Sequence, residues 1–136
     1  MAQVKIHEMT VEVQQEHLDE NQHVNNVQYL QWVQDVAKAH WEQEAQPAWL
    51  TAYVWVALSH HIEYKKPAFL NERLHLRTYI DSFEGVKSHR IVEIYRVDSA
   101  ELVSKCRTVW VMLDRNSNRP VRCPEDMVAA FYETIE

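Results

Sequence analysis

Glycine is almost missing from this chain: Gly85 is the only one in 136 residues. That scarcity excludes a GxGxxG dinucleotide fingerprint, a Walker phosphate loop and a GxSxG nucleophile elbow. Any phosphate must therefore be held by side chains or by a helix end. Cysteine is sparse too, and Cys106 and Cys123 do not make a disulfide framework in a chain this size. No apolar run reaches membrane-spanning length. Met1-Ala2-Gln3-Val4-Lys5 contains no apolar core of signal-peptide length, so the expectation is no membrane span and a cytoplasmic location. No repeat, low-complexity run or Pro/Gly/Ser-rich linker divides residues 1–136, and one domain is expected, enough to bury about two-thirds of the unfolded surface. Positive charge is in deficit, with 14 Lys and Arg against 20 Asp and Glu and a net charge of −6. That balance argues against nucleic acid or an anionic membrane as partner, although a small anion needs only a local basic patch. Eight histidines are present. None falls in an HExxH or Cys/His spacing, so no metal is assigned and no cofactor is implied.

What is present is a clear order of elements. Val4, Ile6, Met9, Val11 and Val13 give a strand-like pattern over about residues 4–13, with one break in phase. Tyr29, Val33, Val36, Ala37, His40 and Trp41 then recur at helical spacing, with Gln28, Gln31, Gln34, Asp35, Lys38 and Glu42 mostly on the other side. Asn25 reads as the N-cap, with Gln28 completing a capping box and Pro47 as the far limit. From Pro47 to about residue 114 the chain reads as strands. Val54, Val56, Leu58, His60, Ile62 and Tyr64 make one alternating set, Leu74–Ile80 a second, His89–Val97 a third and Leu102–Leu113 a fourth. Short connections favour antiparallel pairing. Pro124 opens a short helix in which Met127, Ala130, Phe131 and Ile135 share a face. A helix with one apolar stripe needs a sheet to cover it, so an α+β fold is expected, with a curved antiparallel sheet wrapped around the long helix.

The chemistry concentrates in Asp19-Glu20-Asn21-Gln22-His23-Val24-Asn25-Asn26, just ahead of that helix. A helix start offers unpaired N–H groups and positive dipole potential, which suit a developing negative charge. A carboxylate beside such a site is the minimum needed to hydrolyse an activated acyl group.

With Tyr29-Leu30-Gln31-Trp32, with Ile62-Glu63-Tyr64-Lys65-Lys66-Pro67-Ala68, and with the run Val109–Leu113 followed by Arg119-Pro120, this stretch resembles the hotdog-fold thioesterases of the 4-hydroxybenzoyl-CoA thioesterase-like group. The resemblance covers nearly the whole chain. It implies a hotdog fold, subunits paired as a homodimer or dimer of dimers, sites at the subunit interface, and an acyl-CoA thioester as substrate. It also implies Asp19 as the catalytic carboxylate and the backbone N–H of Asn26 as the oxyanion donor. The Asp-x-Asn-x-His-Val-Asn-Asn spelling is similar to acyl-carrier-protein thioesterases as well, which adds Asn21 and His23 as flanking groups and an acyl-carrier-protein thioester as the other substrate form. Two departures stand out. Gln22 occupies a place where many bacterial relatives have Gly, and Pro67 and Ala68 occupy places where the plant enzymes carry Glu and Cys.

Each assignment has a plainer alternative. Asp19 alone would be favourable near a helix start by ~0.3–1 kcal/mol without any catalytic role. Asn25 and Asn26 could simply cap the helix, and His23 could pack its loop. Glu63, Lys65, Lys66 and Arg90 read individually as exposed charges. Once glycine loops are excluded, however, the phosphates of CoA need Lys or Arg, and Lys65, Lys66 and Arg90 are the candidates. Trp32, Trp41, Trp49, Trp55 and Trp110 are core or interface residues first, with one or two available to an acyl pocket. Two other functions fit the same fold: an acyl-thioester hydratase or dehydratase, and a non-catalytic acyl-thioester-binding protein.

Overall fold

A computed structural model describes residues 2–134. Its centre is helix α1, Asn26–Glu44, whose buried side chains are Tyr29, Trp32, Val33, Val36, Ala37 and His40. Val33 and Val36 are wholly buried, and burying each contributes about 1.5–3 kcal/mol. Asn25 adopts an extended conformation and its side chain accepts the Val27 N–H at 2.9 Å. The expected reciprocal bond to the Gln28 side chain is not made, because the Asn25 N–H donates to the His17 carbonyl at 2.9 Å instead.

Before α1 lie strands β1 (Ala2–Val4) and β2 (His7–Glu12) and one 3₁₀ turn at Gln15–His17. The expected single strand over 4–13 is thus two, and its break in phase is where the chain leaves one sheet for another. After α1, Pro47 does not lead into a strand. It sits in the first turn of helix α2 (Pro47–Ala52), where its missing N–H costs nothing, and Trp49 is buried in a cluster with Ile80, Met112, Met127 and Phe131. Then come β3 (Tyr53–Tyr64), β4 (Arg73–Glu84), β5 (Lys87–Arg96), β6 (Leu102–Asp114), α3 (Glu125–Ala130) and β7 (Tyr132–Thr134). The C-terminal helix therefore stops at Ala130 and the chain turns into β7, which pairs with β1. Ile135, assigned to that helix from its spacing, lies outside the described residues.

Five strands form one antiparallel sheet in the order β2-β4-β5-β6-β3, and α1 packs across β2, β4 and β5. This is the wrapped sheet expected of a single amphipathic helix. β3 carries a bulge between Ala57 and Ser59. A bulge adds one residue and reverses which side chains face inward, so Trp55 and Ala57 are half-buried before it and His60 and Ile62 after it. Val56 and Leu58, placed by simple alternation on the apolar face, are instead 43% and 57% exposed. Among the described residues no helix is long and apolar enough to cross a membrane.

Candidate active site at the start of the central helix

The chain reverses tightly before α1. Leu18 and Val24 form an antiparallel bridge, the Asp19 N–H bonds the His23 carbonyl at 2.7 Å, and the Asn25 N–H bonds the His17 carbonyl at 2.9 Å. Gln22 closes the turn with φ of 62°. A left-handed backbone is what glycine accepts freely and other residues adopt at a cost of roughly 1–2 kcal/mol. Gln22 accepts that strain here.

Inside the turn, one carboxylate oxygen of Asp19, Oδ1, accepts the Asn21 N–H at 2.8 Å and the His23 N–H at 3.1 Å. The other, Oδ2, has no hydrogen-bond partner among the described residues, and Asp19 is only half-buried. The carboxylate is fixed through one oxygen and free at the other. Asn21 and His23 thus meet Asp19 through their main chains, while the His23 ring sits edge-on to Phe69 at 5.2 Å. At the helix start, Val27 and Gln28 N–H groups are both engaged by Asn25. The Asn26 N–H has no acceptor among the described residues, which leaves it as the open donor of the first turn.

The second motif lies against the first. The Val24 N–H bonds the Ala68 carbonyl at 2.9 Å, and the Tyr64 hydroxyl donates to the Asn26 carbonyl at 3.3 Å. Lys65 and Lys66 follow on the exposed turn, with Lys65 Nζ 3.2 Å from Glu63 and Lys66 Nζ 3.9 Å from Glu101. Asp19, Asn21, His23, Asn26, Lys65 and Lys66 therefore share one end of the molecule. Tyr29 joins them without having been singled out. Its hydroxyl is buried with no well-formed hydrogen bond among the described residues, its ring is 5.6 Å from Tyr64, and burial, partly offset by the nearby Ala68 main chain, pushes its pKa up to about 12. Its place in the helix stripe gave a core residue, and nothing in the spacing marked its hydroxyl as part of this end of the molecule.

Arg90 does not belong to this cluster, and its reading as an exposed strand charge is corrected. It points inward from β5 and is only 4% exposed. Nη1 donates to Nδ1 of His40 at 2.9 Å and to the Thr78 hydroxyl at 3.1 Å. Burial lowers the guanidinium pKa to about 9, which still leaves it charged at neutral pH. Burial, reinforced by the Arg90 charge, pushes His40 down to about 3, so the imidazole is neutral and can accept this bond. A guanidinium so placed is not available to phosphates held at the Lys65–Lys66 turn.

Arg90 lines a cavity of about 590 Å³ between the outer side of α1 and the inner side of β3, β5 and β6. Trp41, Trp55 and Trp110 are the tryptophans on its wall. Among the described residues no three His, Cys, Asp or Glu side chains gather as a metal site.

A sheet wrapped on one helix, with a carboxylate turn at the helix start, defines an α+β protein of the hotdog class. The chain belongs to the thioesterase-like superfamily, which matches residues 13–131. It is 25% identical over 112 residues to the long-chain acyl-CoA thioesterase FadM of Escherichia coli (strain K12), covering 80% of this chain and 84% of that protein. Among solved structures it superposes on a probable thioesterase from Escherichia coli with a TM-score of 0.82 at 20% identity, covering 91% of this chain and 95% of the other. A 1,4-dihydroxy-2-naphthoyl-CoA thioesterase from Synechocystis gives 0.81 at 17% identity, with 93% and 96% covered. A Staphylococcus aureus protein solved in complex with CoA gives 0.82 at 18% identity, with 93% and 82% covered. Thioester hydrolysis is the chemistry of this family.

Proposed function

We propose that this protein hydrolyses acyl-CoA thioesters at the turn joining Asp19 to Asn26. The observation that carries the reading is a carboxylate pinned through Oδ1, with Oδ2 free, beside a helix whose first N–H is unengaged. A thioester needs no serine, because thiolate is a good leaving group. A carboxylate can attack the carbonyl or take a proton from water that does. In either route the carbonyl oxygen gains charge, and the Asn26 N–H at the positive end of α1 receives it. Asn21 and His23 hold the turn that aims the carboxylate. Lys65 and Lys66, exposed on the adjoining turn, meet the phosphates of CoA. The CoA complex of the Staphylococcus aureus protein and the acyl-CoA activity named for FadM support a CoA thioester as substrate.

The site is open in a single chain. Val27 next to Asn26 is 71% exposed, and Tyr64, Phe69 and Leu70 are each 42% exposed. An apolar rim of this kind supports a homodimer or dimer of dimers in which a second subunit closes the site. The deciding experiment is release of free thiol from a panel of aliphatic and aromatic acyl-CoAs. Hydrolysis predicts stoichiometric thiol with free acid. Modification of the acyl chain without thiol would mean a hydratase, and binding without either product would mean a non-catalytic protein.

A further inference from the structure

Arg90 carries a positive charge into the interior with no carboxylate beside it. Arg73, Arg77, Arg96 and Arg107 each pair with an acid, whereas Arg90 has only the neutral His40 and Thr78, both on Nη1. Its Nε and Nη2 have no acceptor among the described residues. Among the described residues, the side-chain N and O atoms that are both sealed off and without a well-formed hydrogen bond are Tyr29 Oη and Trp110 Nε1. The free edge of Arg90 is therefore not sealed; it opens onto the cavity that Arg90 lines. Nε and Nη2 are the two parallel donors that grip a carboxylate in bidentate fashion. Asp35 and Glu42 border the cavity from α1, but neither forms an ion pair with Arg90; Asp35 is taken by the Gln31 amide at 2.9 Å.

Position fixes what could bring a carboxylate to this point. The cavity wall begins at Gln31 and runs along α1 to Glu42. His40, which holds Arg90, lies fourteen positions beyond Asn26, about 21 Å along the axis at 1.5 Å per residue. An extended chain advances about 1.2 Å per bond, so the roughly 15 bonds of a 16-carbon chain span about 18 Å of that distance, and a hydrogen bond of about 2.9 Å to the guanidinium closes the rest.

We propose that Arg90 is the specificity-determining residue for the far end of the acyl chain, and that the substrate class is long-chain acyl thioesters ending in a carboxylate. This rests on the hydrolase reading above. The thioester is cleaved at Asn26 while the distal carboxylate takes the free edge of Arg90. A methyl-ended chain would leave that edge unpaired, and sites built to hydrogen-bond a group discriminate strongly against its absence.

The test compares hexadecanedioyl-CoA, carrying one free carboxylate, with palmitoyl-CoA on the full-length protein. Wild type is expected to favour the carboxylate-ended substrate in kcat/KM by about tenfold or more. Arg90→Met should reduce that preference at least ~30-fold, and Arg90→Lys, with charge but no fork, should fall between. A wild type with no preference for the carboxylate-ended substrate, or an Arg90→Met variant that loses both activities equally, would overturn the proposal. Equal loss together with dissociation in sedimentation would assign Arg90 to a subunit contact instead. Calorimetric binding of hexadecanedioic and hexadecanoic acids to wild type needs no variant and no turnover. Tighter binding of the diacid by about tenfold supports the inference, and equal or weaker binding rejects it. Absence of thiol release from either CoA ester would sink the hydrolase reading, with the calorimetry still deciding the role of Arg90.

Discussion

At the scale of single residues, the fold places two polar groups where their chemistry is tightly constrained. His40 is 2% exposed, stacked 5.4 Å from His7 and edge-on to Phe131 at 5.0 Å, and it accepts its bond from Arg90. Its pKa, about 3 in the folded protein against an ordinary 6.5, has a consequence for acid stability. Below 6.5 the unfolded chain takes up a proton that the folded chain refuses until about pH 3. The contribution of a neutral His40 is thus complete above pH 6.5 and is lost as pH falls from there toward 3. Thermal melts between pH 7.5 and 4 should show wild-type Tm falling more steeply than that of His40→Gln, so that the gap between them narrows. A gap constant across that range would contradict a buried neutral imidazole. The helical spacing put His40 on the apolar stripe, where it is buried, but not its bond to Arg90, and Arg90 itself was read as an exposed charge. Strand alternation gave Arg90 a face, but its partners Thr78 and His40 lie 12 and 50 positions away.

At the scale of elements, the start of α1 is where local sequence and proposed chemistry coincide. Asn25 caps Val27, so the side chain of Asn26 is not needed for the helix. Asn26→Ala should keep appreciable activity, whereas Asn26→Pro should lose most of it. Proline fits a first helical turn but removes the N–H, and loss of one oxyanion donor costs about 2.7–4 kcal/mol of transition-state stabilisation. Circular dichroism and a structure of the proline variant must accompany the kinetics, because proline also restricts Asn25. Similar rates for two folded variants would place the oxyanion elsewhere. This helix was legible because its apolar stripe has the helical period over nineteen residues. The bulge in β3 was not, since one extra residue within Val54–Tyr64 leaves a run of strand-forming side chains looking continuous. Helix α2, six residues long, is too short to show a period, and its only sign was Pro47. β1 and β7 pair across 130 positions through three residues each, a contact that no local pattern announces.

At the scale of the whole molecule, β3 ends the sheet with an unpaired edge of twelve residues and exposes Val56 and Leu58 beside it. A long apolar edge invites pairing with another chain. We expect a homodimer or a dimer of dimers, and Leu58→Lys should weaken it. Sedimentation giving an active wild-type monomer at assay concentration would remove the second subunit from the proposed site. The general plan was legible because one amphipathic helix and four strands leave few ways to bury a single apolar stripe. The cavity beside α1 was not, because it lies between the polar side of the helix and strands far from it in sequence. The account as a whole turns on the carboxylate at the helix start, and Asp19→Asn reaches it most directly. The amide keeps the shape of the side chain, including an oxygen able to accept from Asn21 and His23, and removes the basic, nucleophilic group. With the fold verified by circular dichroism, thiol release from the best acyl-CoA substrate should fall by about 10²–10⁴-fold. Near-wild-type turnover by folded Asp19→Asn would contradict the proposed site.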